Sequence, residues 1–190
     1  MNDQSFLSRR NSRTNLYGRG ARPLDPGRWI SLAIDAAYAE TYAGQVALLT
    51  AANLIGRMTP SVAIAVPDGT KVRDPLPWAG QSLSDLLFEQ LFAATPADKG
   101  GRFMARGPNS GDVAIAFGSC AIRGAALVHG CGWDSYFGRE TSPVRASDIT
   151  NPCGPAFAAI LCGANLLAEG LHTSPTSYLC NTLDWSARAA

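Results

Sequence analysis

Short apolar runs, separated by helix-like patterns, organise most of the sequence. Three of them, 29–34, 61–66 and 113–117, are apolar at consecutive rather than alternating positions. Continuous runs of this kind are typical of strands that are covered on both faces of a sheet. They predict a central sheet, to which a weaker run at 125–129 adds a fourth strand.

Helical patterns lie between and after these strands. Residues 44–58 combine an apolar stripe with good helix formers. Thr59-Pro60 predicts the end of that helix, because proline has no backbone N–H and restricts the residue before it. A second helix is predicted over 83–94, with Ser82 as its N-cap.

A last helix is predicted to begin at Asn151-Pro152 and to end near Gly170, since Asn is a favoured N-cap and Pro a favoured first residue. Gly154 and Gly163 would let this helix lie close to a neighbour. Its predicted buried stripe consists of Phe157, Ile160, Leu161, Ala164 and Leu167.

A strand, a helix and a second strand within 29–66 form a βαβ unit, whose strands are expected to be parallel and whose connection is expected to be right-handed. The predicted fold class is therefore α/β: a Rossmann-like, mostly parallel sheet flanked by helices. We predict one such domain over 29–190, preceded by a basic N-terminal arm over 1–28.

Composition indicates a globular protein. Apolar residues make up 46% of the chain and charged residues 16%, whereas disordered chains are rich in charge and poor in apolar residues. No apolar run is long enough to span a membrane, and no signal peptide is recognisable, so we predict a cytoplasmic protein without membrane contact. The cysteines contain no C-x-x-C pair and favour neither a disulfide framework nor a metal site; they are Cys120, Cys131, Cys153, Cys162 and Cys180.

The predicted arm is rich in arginine, whereas the rest of the chain is mildly acidic. Its acidic residues are Asp3 and Asp25, and its six arginines are Arg9, Arg10, Arg13, Arg19, Arg22 and Arg28. Such an arm is more often a flexible or partner-wrapped terminus than a nucleic-acid contact. The nucleic-acid alternative requires an affinity that falls steeply with salt.

The turn after the first strand is where a Rossmann fold carries G-x-G-x-x-G, whose glycines let backbone amides approach phosphate. Here the corresponding stretch, 35–44, reads DAAYAETYAG and has one glycine, Gly44, at its end. Alanine and tyrosine side chains would crowd the phosphate, and Glu40 would repel it. The sequence therefore predicts a degenerate loop and no bound cofactor.

Two residues remain as candidates for chemistry. Asp68 closes the second strand, where an acidic residue often binds a ribose hydroxyl, although Pro67-Asp68-Gly69 is also an ordinary turn. Cys153 lies at a predicted helix N-terminus, which would favour a reactive thiolate, but a buried apolar cysteine is the favoured interpretation for it and for Cys131, which is flanked by glycines. No histidine is identifiable by spacing as its base, and no metal-ligand cluster has a recognised spacing.

The βαβ unit, the strand segment 112–119 and the helix opened by 151–159 together resemble the ThiF/MoeB/ubiquitin-activating-enzyme superfamily. The segment NPCGPAFAA at 151–159 is similar to the family's Pro-x-Gly turn before a helix of small residues, and LYGR at 16–19 is similar to its Tyr-x-Arg arm. Enzymes of this superfamily adenylate the C-terminus of a ubiquitin-like or sulfur-carrier protein.

The sequence also departs from that family's pattern. The glycine loop is replaced, and the chain has neither the acidic strand end with its Asn/Arg/Gln cluster nor the Cys-x-x-Cys pairs that bind zinc. The family contains inactive adenylation-like halves that pair with an active half, and the chain resembles one of these.

The resemblance implies a non-catalytic scaffold or dimerisation half in a bacterial-style pathway that activates a ubiquitin-like protein. Its partner would be an active ThiF-like domain or a second copy, and ATP and magnesium would bind only where the partner supplies the site. We expect the partner surface on the last helix and on 178–185, with Tyr178 and Trp185 as anchors. The alternative is a nucleotide-binding or thiol-dependent enzyme domain of Rossmann type.

Overall fold

The computed structural model describes most of the chain after the predicted arm. The described ranges are 27–95, 101–119, 122–144, 149–170 and 177–189. All but the last two residues of the arm lie outside them, so the division into arm and domain stays a prediction.

The described chain contains eight strands and four helices. The strands are β1 (Ile30–Ile34), β2 (Ser61–Ala65), β3 (Arg102–Ala105), β4 (Val113–Phe117), β5 (Ala126–Cys131), β6 (Asp134–Gly138), β7 (Tyr178–Asn181) and β8 (Ala187–Ala189). The helices are α1 (Ala36–Ala39), α2 (Tyr42–Gly56), α3 (Leu83–Ala94) and α4 (Cys153–Gly170).

All eight strands form one sheet in the order β3-β2-β1-β4-β5-β6-β7-β8. The five strands from β3 to β5 are parallel, and β6, β7 and β8 continue the sheet as antiparallel neighbours. The predicted βαβ unit is confirmed, because β1 and β2 pair in parallel with Ile30 opposite Val62. The predicted α/β, Rossmann-like class is confirmed with it.

One face of the sheet carries large apolar side chains and packs against the helices. Ile30, Leu32 and Ile34 of β1 are at most 5% exposed and share one buried cluster with residues of all four helices. Helices α2 and α4 also pack against each other. A Cβ added to Gly163 of α4 would lie 3.4 Å from Leu54 of α2, so this glycine faces α2 at ordinary contact distance.

The opposite face, called the second face below, carries small side chains where β1, β2 and β4 lie side by side. These side chains are Ser31, Ala33, Ala63, Ala65, Ala114 and Ala116. Over this face the described chain runs as connecting segments, among them 106–112 and 122–125. There, Asp112 accepts hydrogen bonds from Ser31 Oγ at 2.5 Å and from Arg106 at 2.6 Å.

The strongest local patterns predicted their elements well. Helix α3 occupies the predicted 83–94, and the Ser82 hydroxyl accepts from the Asp85 N–H as an N-cap does. Helix α2 instead begins two residues earlier than predicted, because Thr41 caps it by accepting from Gly44 N at 2.9 Å. The short strands β3, β6 and β8 and the single-turn α1 were not predicted, since their sequences carry little apolar periodicity.

The predicted buried stripe of α4 is wrong. Ile160 is 47% exposed and Ala164 is also exposed, while Phe157 and Leu161 are half-buried; the side chain of Leu167 lies outside the described residues. The buried side is formed by Ala158, Ala159, Cys162, Asn165 and Leu166. Because α4 is apolar on every side, residue size does not reveal its inner face, and close packing selects the small side chains.

Candidate functional site

The order of the strands reverses between β1 and β4, which is the topological switch point of the sheet. Ligands of open α/β sheets bind in the crevice beyond the carboxyl ends of such strands. Asp35 directly follows β1, and Gly118 and Ser119 directly follow β4. We call the space bordered by Asp35, Tyr38, Gly118 and Ser119 the strand-end crevice.

The carboxylate of Asp35 fills this crevice from inside the chain. It accepts hydrogen bonds from Tyr38 N at 2.7 Å, from Ser119 N at 2.5 Å and from Ser119 Oγ at 3.1 Å. Gly118 has φ +86°, and a Cβ there would lie 2.2 Å from Asp35 Oδ2. Backbone N–H groups that a phosphate would use in a Rossmann fold are therefore directed at an internal anion.

Gly44, the glycine that remains in 35–44, has a packing role. A Cβ on it would lie 2.1 Å from the carbonyl oxygen of Tyr38. Thr41 stabilises the same bend, because its hydroxyl donates to Tyr38 O at 2.8 Å and accepts from Gly44 N at 2.9 Å. Gly44 thus joins α1 to α2, and nothing in this geometry directs it at a ligand.

Tyr38 connects the crevice to the end of β5. Its hydroxyl donates to Gly130 O at 2.8 Å, and its ring meets the ring of His129 edge-on with centroids 5.3 Å apart. Burial raises the pKa of Tyr38 far above its usual value, so the phenol stays protonated. Burial also lowers the pKa of His129, which favours the neutral imidazole; Nδ1 of that ring lies 3.0 Å from Ser142 Oγ.

A cavity of about 580 Å³ opens on the second face beside His129. Its floor is the sheet, at Ala116, Leu127 and His129, and its walls are the segments 122–125 and 139–144. Sequence reasoning did not find this second-face cavity. Its polar residues belong to separate loops and to a weak strand, and no motif spacing relates them.

Asp68 lies in the predicted turn. The Pro67-Asp68-Gly69 segment closes with a hydrogen bond from Thr70 N to Pro67 O at 3.3 Å, and Gly69 has the positive φ of +77° that this turn needs. Asp68 is exposed and borders a cavity of about 370 Å³ at the ends of β2 and β3. A role in ribose binding stays a prediction.

Cys153 is exposed at the first residue of α4, and its N–H donates to Asn151 Oδ1 at 3.0 Å. The favoured prediction of a buried apolar cysteine is therefore wrong for Cys153 and confirmed for Cys131. Within the described ranges the Cys153 thiol has no hydrogen-bonded base, and His172 lies outside them. A thiol-dependent reaction stays a prediction.

Among the described residues, no group of three His, Cys, Asp or Glu side chains is arranged to hold a metal ion. Asp112 and Asp134 have different partners: Asp112 pairs with Arg106, and Asp134 accepts from Asn181 at 2.7 Å. Asp148 lies outside the described ranges. No helix within them is long and apolar enough to cross a membrane.

Comparison with solved structures identifies proteins of the same fold. Escherichia coli MccB superposes with a TM-score of 0.62 at 10% identity, covering 100% of this chain and 70% of MccB. MccB with AMPCPP and the peptide MccA gives 0.58 at 8% identity, covering 100% and 72%. PaaA gives 0.52 at 9% identity, covering 85% and 63%.

No protein-family profile and no curated protein matches the sequence. The likeness is therefore one of fold alone, and the predicted membership of the ThiF/MoeB superfamily stays a prediction. The chain spans about two thirds of the length of these neighbours.

Proposed function

We propose that the chain is a non-catalytic, ThiF-like domain that serves as a scaffold or dimerisation half in the activation of a ubiquitin-like protein. The observation that carries this proposal is the Asp35 carboxylate in the strand-end crevice, bonded to the N–H groups of Tyr38 and Ser119. A nucleotide phosphate placed there would meet a negative charge and find these donors occupied.

A protein of the same fold has been solved with bound nucleotide. MccB, which shares the fold, has been solved with ATP and with AMPCPP, so the fold accommodates a nucleotide in that protein. In this chain the stretch where a glycine loop would lie forms α1, and the N–H of Tyr38 in α1 donates to the Asp35 carboxylate. This difference supports assigning nucleotide chemistry to a partner domain.

Isothermal titration calorimetry with ATP and magnesium tests the proposal. The wild-type chain is expected to release no binding heat, while a catalytically active ThiF-like domain under the same conditions serves as the positive control. Micromolar affinity for ATP in the wild-type chain would overturn the non-catalytic assignment.

A partner surface is supported by exposed apolar side chains near the end of the sheet. Leu183 and Trp185, in the turn between β7 and β8, are 65% and 72% exposed, and Ile160 on α4 is 47% exposed. Trp185 has a φ of +58° and meets Phe157 of α4 edge-on, with ring centroids 5.8 Å apart. Exposed aromatic residues held in place in this way are typical anchors of protein interfaces.

Part of the predicted surface is wrong. Gly154 and Gly163 do not face a partner helix, because added Cβ atoms would meet Asp134 O at 2.2 Å and the side chain of Leu54 at 3.4 Å within this chain. Tyr178 is half-buried against the core. The proposed surface therefore consists of the outer side of α4 and the β7–β8 turn.

Trp185→Ala tests this surface. We expect the variant to lose assembly with itself or with an active ThiF-like domain, as measured by light scattering, while its denaturant melting stays close to wild type. Phe92→Ala is the matched control, since Phe92 is 64% exposed on α3, and it should leave assembly unchanged. A wild-type chain that is monomeric at high concentration and ignores an active domain would contradict the scaffold proposal.

A further inference from the structure

The second-face cavity exists because of how β4 is connected to β5. Parallel neighbours are usually joined by a crossover helix, which is about 10 Å thick with its side chains. In this chain the described part of the connection, 118–119 and 122–125, contains no helix. Beneath it, β4 presents the small side chain of Ala116, so the space of about 580 Å³ is left open.

The cavity combines an apolar interior with charged walls. Leu127 and Val144 line its inner part, and Val144 belongs to the buried cluster that also contains Leu127 and Tyr136. Arg123 and Arg139 border it from opposite walls, and Glu140 adds one negative charge. Sites for small organic molecules have this composition: an apolar lining with a few polar groups.

The charges of the walls restrict the ligand. Arg123 is exposed and forms no ion pair in the part of the chain that the structure describes. Arg139 also lines the cavity but takes part in interactions of its own, and Glu140 adds a negative charge. One available cation, Arg123, suits a ligand with a single negative charge rather than a triphosphate.

We propose that the second-face cavity binds a small organic carboxylate, with its apolar body against Leu127 and Val144 and its carboxylate at Arg123. The guanidinium suits this role because its planar N–H groups match the two oxygens of a carboxylate. Ser142 offers a further polar group at the wall. This proposal is independent of the scaffold function, since neither Asp35 nor the α4 surface takes part.

Naphthalene-2-carboxylate and its neutral analogue naphthalene-2-carboxamide form a matched pair of probes. They have nearly the same shape and differ in charge, so their difference isolates the arginine contribution. In a titration followed by backbone NMR, we expect the carboxylate to shift the amides of 122–125 and 139–144 and to bind at least about tenfold more tightly than the carboxamide. Equal affinities would overturn the proposal.

Two variants locate the binding. Arg123→Gln removes the charge at an exposed position and should weaken the carboxylate about tenfold without affecting the carboxamide, whereas Arg57→Gln, a charge removed at the end of α2, should change neither. Thr141→Trp keeps every charge but places a large ring at an exposed position of the wall, and it should weaken both probes. Unchanged binding in Arg123→Gln and Thr141→Trp, or displacement of the carboxylate by ATP at equal concentration, would show that the assignment is wrong.

Discussion

The strand-end crevice and the second-face cavity both border Ser119, yet they differ in what occupies them. In the crevice, the Ser119 N–H and hydroxyl bond to the Asp35 carboxylate, which comes from the chain itself. In the cavity, arginine side chains border a space that the described residues leave open. Ser119 thus lies between the strand-end crevice, where the Asp35 carboxylate is bound, and the second-face cavity, which is suited to the carboxylate of a ligand.

The difference shows that short connections between elements decide which part of the sheet is open to a ligand. The carboxyl edge of β1 is the usual ligand site of this architecture, but here α1 and Asp35 convert it into a structural cap. A loop in place of a crossover helix instead opens space on the second face. Variants that act on one region and leave the other intact test this contrast.

Gly118→Ala should have the largest effect, because it closes the crevice from the β4 side. A Cβ placed 2.2 Å from Asp35 Oδ2 must displace the carboxylate. Alanine is also strained by the left-handed backbone at φ +86°, which lowers the stability of the fold further. We expect a loss of about 3 to 5 kcal/mol in the free energy of unfolding, measured by urea titration.

Gly80→Ala is the matched control. Gly80 has the same φ of +86°, but a Cβ there would meet nothing within 4 Å, so this variant carries only the backbone cost of about 1 to 2 kcal/mol. Equal losses in the two variants would show that Asp35 does not fill the crevice.

Asp35→Ala should have the next largest effect, since it removes the N-cap of α1 and the acceptor for Ser119 together. We expect a loss of about 2 to 3 kcal/mol in the free energy of unfolding, as for hydrogen bonds to a charged group. Ser82→Ala removes only a helix cap, at α3, and should cost about 1 kcal/mol. A loss in Asp35→Ala no larger than that in Ser82→Ala would mean that the bond to Ser119 contributes nothing.

Asp112→Asn tests the polar contacts of the second face. The pKa of Asp112 is lowered to about 2, mainly by its hydrogen bond from Arg106 and in addition by the one from Ser31. A folded-state pKa below the unfolded value of about 3.9 stabilises the fold above pH 4, and that stabilisation is lost as the pH falls towards 2. Thermal melting between pH 5 and 2 should therefore fall more steeply in the wild type than in Asp112→Asn, and parallel curves would contradict this role.

The smallest expected effect concerns His129 at the edge of the cavity. Burial lowers the pKa of His129 in the folded state. Below pH about 6.5 the imidazole is therefore protonated in the unfolded chain while it stays neutral in the folded chain. The free energy of unfolding should decrease as the pH falls below that value and should level off below the folded pKa. His129→Gln should remove this slope, and subtracting its pH profile from that of the wild type isolates the residue from His172.

Two helices show which features of the fold can be predicted from the sequence alone. Helix α3 was predictable to the residue, because Ser82, a leucine stripe and Thr95-Pro96 determine its start, face and end within one short segment. The inner face of α4 was not predictable, since it is decided by which side of a largely apolar helix packs against α2.

Some features of the candidate site were also visible in the sequence, and others were not. The replacement of the glycine loop was visible in the sequence, and so was the turn at Asp68. The partner of Asp35 was not, because Ser119 lies 84 residues away and meets it only when β1 and β4 become neighbours. The same holds for Arg123 and Arg139, which border one cavity without any common motif.

The sequence by itself therefore determined the parallel α/β architecture and the absence of G-x-G-x-x-G after the first strand, since both follow from residue types close together in the chain. Only the tertiary structure decided that Asp35 occupies the crevice and that a cavity opens behind it. Those features depend on strand order and on what covers each face of the sheet, and such long-range contacts leave no periodic signal in the sequence.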